Sequence, residues 1–590
     1  MKKIILLLVA LLLPIAGQAR VQAYLQWKSV PAGDDVVLYV GDDTGGTKYS
    51  VSVHNTNDNV PLFKYSGITL RSQTLLGTEN VDRWEYDQSF VTPLKIETTG
   101  LAQGIYELRV ETNSGVDAAD RLHFVVRPAA GTEGTLSKVL FVTYDATNMA
   151  YDAWGGKSSY TGAKFVTMHR PNGDTMNSPG TNDFRQWYTM PDEMSIARWF
   201  AYIGMPVEYA SQFDLDSTLD PADYKIIVIL GHSEYWSEAQ RVFIEAVLTA
   251  GGRLISLSGN TMWWQTRIDA DDLFGMHIHK GSAPATDPTS TTCSLPNTPY
   301  GCLGVLDDTL LTNNWITGTS DPETDLLGIG WTDNGGGGYS NNGTGASCNA
   351  GGVEDCFSYL QGYGQFFINQ CADDMFDGTG VTDNPEVTAN DSALFDISDY
   401  EGGGVWTGGL ASQTHFIGYN YGGAGILGYE VDGCSVTMTG SPSKPVCSGT
   451  DGEAAFNILA WAPSYQVPYS ETRTMMGTYV PAVGGEVFNG GSTRFFRAVA
   501  SRSTSAPQDK RVYKLLLNVF KEYGTSVGEW GALSAAMTND FDGDGIADID
   551  DNCIETDNGP TQGPNNQLDT DGDGTGDVCD AFPSVANQCI

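Results

Sequence analysis

Residues Lys225 to Arg267 read KIIVILGHSEYWSEAQRVFIEAVLTAGGRLISLSGNTMWWQTR, and this stretch limits the fold more than any other. The β-branched run Lys225–Leu230 stops at Gly231. His232, Ser233, Glu234, Tyr235 and Trp236 follow, then an amphipathic helical pattern, then a second apolar run, Arg253–Leu257. Two short apolar runs joined by a helix describe neighbouring strands of a parallel sheet buried on both faces. Open sheets of this kind bind ligands at the carboxyl ends of their strands, which is where the ionisable cluster falls. The segment therefore predicts an α/β domain and a site. Glu234 also suits a first-turn acid favoured by the helix dipole, with Ser233 as cap. Tyr235 and Trp236 equally suit packing of the helix start against the sheet.

The 590-residue chain opens with Met1-Lys2-Lys3 and an apolar run, Ile4 to Leu13, before Gly17-Gln18-Ala19. This is the pattern of a secretory signal peptide over residues 1–19, and the run is short of the ~20 residues a spanning helix needs. The mature protein is expected to be exported, to the cell surface, the medium or the periplasm, with no transmembrane segment. Ten cysteines, all from Cys293 onward, suit disulfides in an oxidising compartment. Short separations pair Cys293 with Cys302, Cys434 with Cys447, and Cys553 with Cys579. Cys348, Cys356, Cys371 and Cys589 are left open. A net charge of -40 argues against nucleic acid and anionic membrane as partners.

Residues 20–128 read as a β-sandwich of the Ig-like kind, with runs at Val36–Val40, Tyr49–His54, Leu94–Thr98, Ile105–Glu111 and Leu122–Val126. After the linker Ala129–Thr135, strand and helix alternate: Val139–Thr143, the helix Asp192–Tyr202, Val207–Tyr209, then the 225–267 unit. This predicts a parallel-sheet α/β domain over residues 136–530. A helix at Asp509–Tyr523 packs Val512, Leu515, Leu516, Val519 and Phe520 on it. A Gly/Asn/Thr-rich insertion with several cysteines, roughly 280–425, reads as disulfide-stapled loops.

The C-terminus carries the clearest spacing. Asp540, Asp542, Asp544, Asp548 and Asp551 occupy positions 1, 3, 5, 9 and 12 of one loop. Asp569, Asp571, Asp573, Asp577 and Asp580 repeat that register. Calcium takes oxygens from these positions and from a backbone carbonyl at position 7, here Ile546 and Thr575, with a turning glycine at position 6, here Gly545 and Gly574. A solvated acidic tail is the plainer alternative. Without a cation, however, the close carboxylates repel one another and favour disorder. Cation removal is therefore expected to unfold residues 540–580 and leave the upstream sheet intact. The segments Asp551-Asn552-Cys553 and Gly576-Asp577-Val578-Cys579-Asp580 resemble thrombospondin type 3 repeats. That resemblance, over residues 538–582, implies structural calcium, disulfides between repeats and a spacer or contact role.

Five further motifs stand in order: Ala150-Tyr151-Asp152-Ala153-Trp154-Gly155-Gly156-Lys157-Ser158-Ser159-Tyr160, Gly231 to Ser237, Gly259-Asn260-Thr261-Met262-Trp263-Trp264, Gly428-Tyr429-Glu430 and Gly485 to Ser492. Together they resemble the C-terminal domain of the N,N-dimethylformamidase large (beta) subunit. The resemblance implies a fold similar to class I glutamine amidotransferases without the cysteine nucleophile. No cysteine stands at the 231–236 elbow. It also implies a single iron held by two tyrosinates and one glutamate. A hard ferric ion favours such oxygens, polarises a carbonyl and activates water. The glutamate carries over to Glu234, with His232 as orienting or proton-shuttling partner. The tyrosinates carry over to Tyr151 and Tyr160, with Tyr144 and Tyr235 as alternatives and Glu430 as a supporting carboxylate. His277-x-His279 is a weak zinc pair, and Asn260, Trp263 and Trp264 suit a pocket wall or the core.

Two functions follow. One is a secreted calcium-binding protein whose metal-dependent, formamidase-like domain hydrolyses the C–N bond of a small amide-like substrate. The other is a non-enzymatic surface or adhesion protein that keeps the α/β domain as a scaffold for an extracellular ligand. The sequence leaves oligomeric state open.

Overall fold

A computed structural model describes residues 21–42, 48–55, 60–69, 93–112, 120–152, 158–160, 163, 165–170, 191–216, 218–268, 275–278, 315, 322–331, 366–368, 375, 416–417, 432–434, 436–439, 444–448, 455–466, 470–500, 509–554, 556–560, 566–572, 575–579 and 583–584. The leader, most of the 280–425 insertion, His279, Glu430, Asp573, Gly574, Asp580 and Cys293, Cys302, Cys348, Cys356, Cys371 and Cys589 lie outside the described residues.

The N-terminal part is two sheets over one core. Strands β1 (Val21–Leu25), β3 (Val36–Asp42) and β6 (Leu94–Ile96) form one; β2 (Ser29–Pro31), β8 (Asp120–Arg127), β7 (Gly104–Thr112), β4 (Lys48–Asn55) and β5 (Pro61–Thr69) form the other, in that order. Alternation decides which residues go inside. Tyr106, Leu108 and Val110 of β7 and Leu122, Phe124 and Val126 of β8 point into the core with Val36, Leu38 and Val40. The opposite face of β7 and β8 is covered too, because Ile105 and Val125 belong to the core of the next domain.

That domain is a nine-stranded sheet, and it is mixed rather than parallel. Strands β11 (Glu208–Ala210), β9 (Val139–Val142), β12 (Ile226–Gly231), β14 (Arg253–Ser258) and β23 (Glu486–Asn489) run parallel. Beyond β23 the sheet continues antiparallel through β22 (Ser470–Tyr479), β21 (Asn457–Gln466), β17 (Phe366–Ile368) and β18 (Phe416–Ile417). The parallel half follows from apolar runs with helical crossovers. The antiparallel half is built on the β21–β22 hairpin, which needs no helix.

Helices α1 (Asp145–Tyr151), α2 (Pro191–Ile203), α3 (Glu238–Thr249), α4 (Glu323–Leu327), α5 (Phe495–Val499) and α6 (Lys510–Ser526) complete the domain. Ile226, Val228 and Leu230 of β12 face α2, α5 and α6. Ile227 and Ile229 face α3 and α4. An all-apolar strand is explained by cover on both faces. Asp509 caps α6 through Arg511 N.

A separate four-stranded sheet is formed by β10 (Phe165–Thr167), β16 (Gly275–His277), β15 (Trp264–Ile268) and β13 (Tyr235–Ser237). A hairpin of β19 (Val436–Thr439) and β20 (Lys444–Cys447) carries the Cys434–Cys447 disulfide, and Cys553–Cys579 joins the two C-terminal loops. Both pairs match the short-separation reading. Among the described residues no helix is long and apolar enough to cross a membrane.

Candidate functional site

Strand β12 ends at Gly231, whose φ is +76° and where a Cβ would stand 2.8 Å from the Tyr144 ring. Glycine is needed there both for the left-handed turn and for the close approach. The chain then crosses the carboxyl edge as His232-Ser233-Glu234 and enters β13, not a helix. Backbone bonds tie this crossing to the next loop: Gly259 N to Gly231 O (3.2 Å), Met262 N to Ser233 O (2.8 Å) and Trp264 N to Glu234 O (2.9 Å). Helix α3 starts only at Glu238, with Ser237 and Gln240 forming a capping box. Ser233 is therefore no cap and Glu234 no first-turn acid, because a strand stands between them and the helix. Trp236 goes into the core below the sheet.

Freed from the helix, the Glu234 carboxylate meets phenols. Tyr160 Oη lies 3.0 and 3.2 Å from Glu234 Oε1 and Oε2, 2.6 Å from Tyr151 Oη and 2.8 Å from Tyr235 Oη. His232 Nε2 is 3.3 Å from Glu234 Oε2, and its ring sits 5.4 Å from that of Tyr151. The Tyr151 and Tyr160 rings are 4.4 Å apart. Glu234, His232 and Tyr235 are buried, whereas Tyr160 is 49% exposed. The cluster is thus a deep acid under a solvent-facing phenol.

These contacts are hydrogen bonds, and two of them also have the spacing of neighbouring oxygens around a cation. Oxygens bound at about 2.0–2.2 Å at adjacent positions stand about 3 Å apart, and Tyr160 Oη has that spacing to each carboxylate oxygen. The donor set, two phenols and a carboxylate, is hard and all-oxygen, the kind that favours a high-charge ion over a soft one. Burial pushes the Tyr235 phenol well above its ordinary value. The Glu234 charge and the Tyr160 contact add to this, against a hydrogen bond with Ser159. Tyr235 therefore stays a neutral donor.

The structure brings Glu234, His232, Tyr151 and Tyr160 together and adds Tyr235. Tyr144 packs beneath Gly231 instead. The His277 ring lies tilted against Phe165 within the small sheet, with centroids 5.1 Å apart. Asn260 and Met262 hold φ of 50° and 54°, a left-handed conformation rare for such residues. The Asp432 carboxylate supports the turn by accepting from Asn260 N (2.7 Å) and Thr261 N (3.3 Å). Trp263 is buried 6.0 Å from the Trp264 ring and 5.0 Å from Trp331. Sequence reasoning missed Thr147, whose Oγ1 accepts from Glu234 N (2.9 Å) and Tyr235 N (3.3 Å). It also missed Gln212, which donates to Tyr235 O at 2.7 Å. Neither belongs to a recognisable pattern.

The two C-terminal loops fold alike. Asp540 Oδ1 accepts from Gly543 N and Asp569 Oδ1 from Gly572 N (2.8 and 2.7 Å). Asp548 Oδ1 accepts from Phe541 N and Asp577 Oδ1 from Thr570 N, both at 2.7 Å. In the first loop, oxygens of Asp540, Asp542 and Asp544 lie within 4.8 Å of one another. Partial burial and the charges of Asp544, Asp551 and Asp540 push the Asp542 carboxyl up to about 6. Ile546, Asp551, Asp571 and Thr575 also belong to the described residues. The first loop is built onto the α/β domain. Ile549 and Ile554 enter its core, Tyr513 donates to Asp548 Oδ2 (2.7 Å), and Lys514 Nζ donates to Asp548 O (2.8 Å) and Asp551 O (2.6 Å).

A mixed, helix-covered sheet with an acid and phenols gathered at its carboxyl edge defines an α/β protein with a candidate oxygen-donor site. The chain belongs to the family described as N,N-dimethylformamidase beta subunit-like, C-terminal, which matches residues 64–508. The match covers about three quarters of the chain and begins within β5, inside the N-terminal sheets. No curated protein matches. Three solved structures give distant likenesses. A cycloisomaltooligosaccharide glucanotransferase of Paenibacillus sp. aligns at 6% identity and TM-score 0.16, covering 45% of this chain and 57% of that one. Chitinase ChiW of Paenibacillus sp. str. FPU-7 aligns at 11% and 0.14, covering 40% and 20%. Cwp6 from Clostridium difficile aligns at 12% and 0.11, covering 40% and 37%. The chain thus spans less than two thirds of each, and at these scores none informs the fold.

Proposed function

We propose that this protein is an exported, metal-dependent amidohydrolase that cleaves the C–N bond of a small amide, with calcium held in its C-terminal loops. The observation that carries the reading is the convergence of Tyr160 Oη on Tyr151 Oη and both oxygens of Glu234. Tyr151, Tyr160 and Glu234 would hold iron, which when bound supplies Lewis acidity toward an amide carbonyl and toward water. Family membership supports the reaction class.

The remaining work belongs to the side chains. Glu234, fixed through its backbone by Thr147 and Trp264, presents its carboxylate at a set place. His232, beside Glu234 Oε2, is the group placed to take up and return a proton at Nε2. Tyr235 donates to Tyr160 Oη and steadies negative charge on that oxygen. The exposure of Tyr160 offers an approach from solvent. Calcium rests on the loop spacing with its position-6 glycines, and export rests on the leader pattern.

The test is elemental analysis and an absorption spectrum of the purified protein, wild type beside Glu234→Ala. Wild type is expected to carry iron and a visible phenolate-to-iron band, and the variant to lose both. Colourless, iron-free wild type from an iron-replete culture would remove the enzyme reading and favour a non-enzymatic surface protein.

A further inference from the structure

Helix α1 carries three groups in seven residues: Asp145 at its start, Thr147, and Tyr151 at its end. Thr147 Oγ1 holds the Glu234 and Tyr235 amides, and Tyr151 offers its phenol to the cluster. Whatever fixes α1 therefore fixes the spacing between the acid and the phenol.

Part of the fixing is local, since Ala146 N donates to Gln212 Oε1 (3.2 Å) and Tyr144 N to Glu193 Oε1 (2.8 Å); the rest comes from the N-terminal domain. Lys28 lies in the link between β1 and β2, and its Nζ donates to Asp145 Oδ1. The two side chains are 8% and 0% exposed. Asp145 Oδ2 accepts from Thr143 Oγ1 and, at 2.5 Å, from Ser211 Oγ. At the other end of α1, Arg170 donates to Met149 O (2.7 Å) and pairs with Asp152 (3.4 Å). The adjoining His169 contacts Gln26 O through Nε2 at 2.6 Å. A three-residue strap, Gln26 to Lys28, thus reaches both ends of the helix, once directly and once through His169 and Arg170.

Resting on the reading of the cluster as a metal site, we propose that Lys28 is a positioning residue for it: the N-terminal domain sets the Tyr151–Glu234 spacing through Asp145 and α1. A helix transmits displacement along its axis because its backbone bonds hold it as a unit. Asp145 without Lys28 is a buried acid that has lost its cation, which such an acid resists by moving or taking a proton. Groups that orient metal ligands from outside typically change metal affinity by about 10–100-fold.

Two readouts on the full chain test this. In metal-free protein, amide hydrogen exchange of the peptide containing Glu234 and Tyr235 is compared for wild type, Lys28→Met and Lys28→Arg. Iron titration followed at the phenolate band is run on the same three proteins. Lys28→Met is expected to exchange at least tenfold faster at Glu234 and Tyr235, with β7 unchanged, and to bind iron about 10–100-fold more weakly, with Lys28→Arg recovering part of both. If Lys28→Met does not fold, Asp145→Asn, which removes the charge and keeps the shape, is read in its place. Wild-type exchange and wild-type iron affinity in a folded variant would overturn the proposal. Faster exchange in a protein that never binds iron would sink the metal reading and leave the coupling standing.

Discussion

Thr147→Val isolates how the site is held. Valine keeps the β-branched shape, so no cavity opens, and only the acceptor disappears. Thr147 is fully buried, so water cannot replace it. Two amides, Glu234 N at 2.9 Å and Tyr235 N at 3.3 Å, then lack their partner. A buried donor left unmade costs about 1–3 kcal/mol, and the longer bond belongs at the low end. The expected loss is about 2–4 kcal/mol, a large share of the about 5–15 kcal/mol that stabilises a domain. Urea unfolding measures it as a lower midpoint at an unchanged slope. The hydroxyl would be shown not to clamp the crossing if the loss stayed below about 0.5 kcal/mol, the range of an ordinary surface change.

Acidification should loosen the joint between the N-terminal sheets and α2. Burial, with the positive charges of Lys28, Arg121 and Arg198, pushes His123 down from 6.5 to about 3, against the opposing pull of Glu107. Between these values the unfolded chain binds a proton that the folded one refuses, so stability rises with pH across that window and falls on going from 6.5 toward 3. Melting temperatures at about pH 7, 5 and 4 should fall less steeply in His123→Gln than in wild type, and parallel slopes would refute the assignment. Chelation should expose the second C-terminal loop to protease before the first, because among the described residues it is the first that Lys514, Ile549 and Ile554 fasten to the domain. Simultaneous cleavage of both loops would count against that order.

What could be read from the sequence was what nearby residues decide. The apolar run of β12 and the helical spacing of α3 carry their own periodicity, and the carboxyl-edge rule then placed His232 and Glu234. The cysteine pairs at separations of 13 and 26 were legible for the same reason. What escaped depends on distant partners. Strand β13 exists because Tyr235–Ser237 pairs with Trp264–Thr266, which local pattern does not reveal, so a helix start stayed open as one reading of Glu234. The antiparallel half of the main sheet rests on the β21–β22 hairpin, for which the 225–267 unit gives no hint. Lys28 and Asp145 stand 117 positions apart, and nothing in either neighbourhood announces the other.

The burial of Ile549 and Ile554 beside α2 and α6 has a practical side. Loop repeats of this composition look like an appendage that can be trimmed without harm. Here the acidic segment works as a plug. A version of the protein stopped before Asp540 would bare greasy surface on two helices and invite self-association.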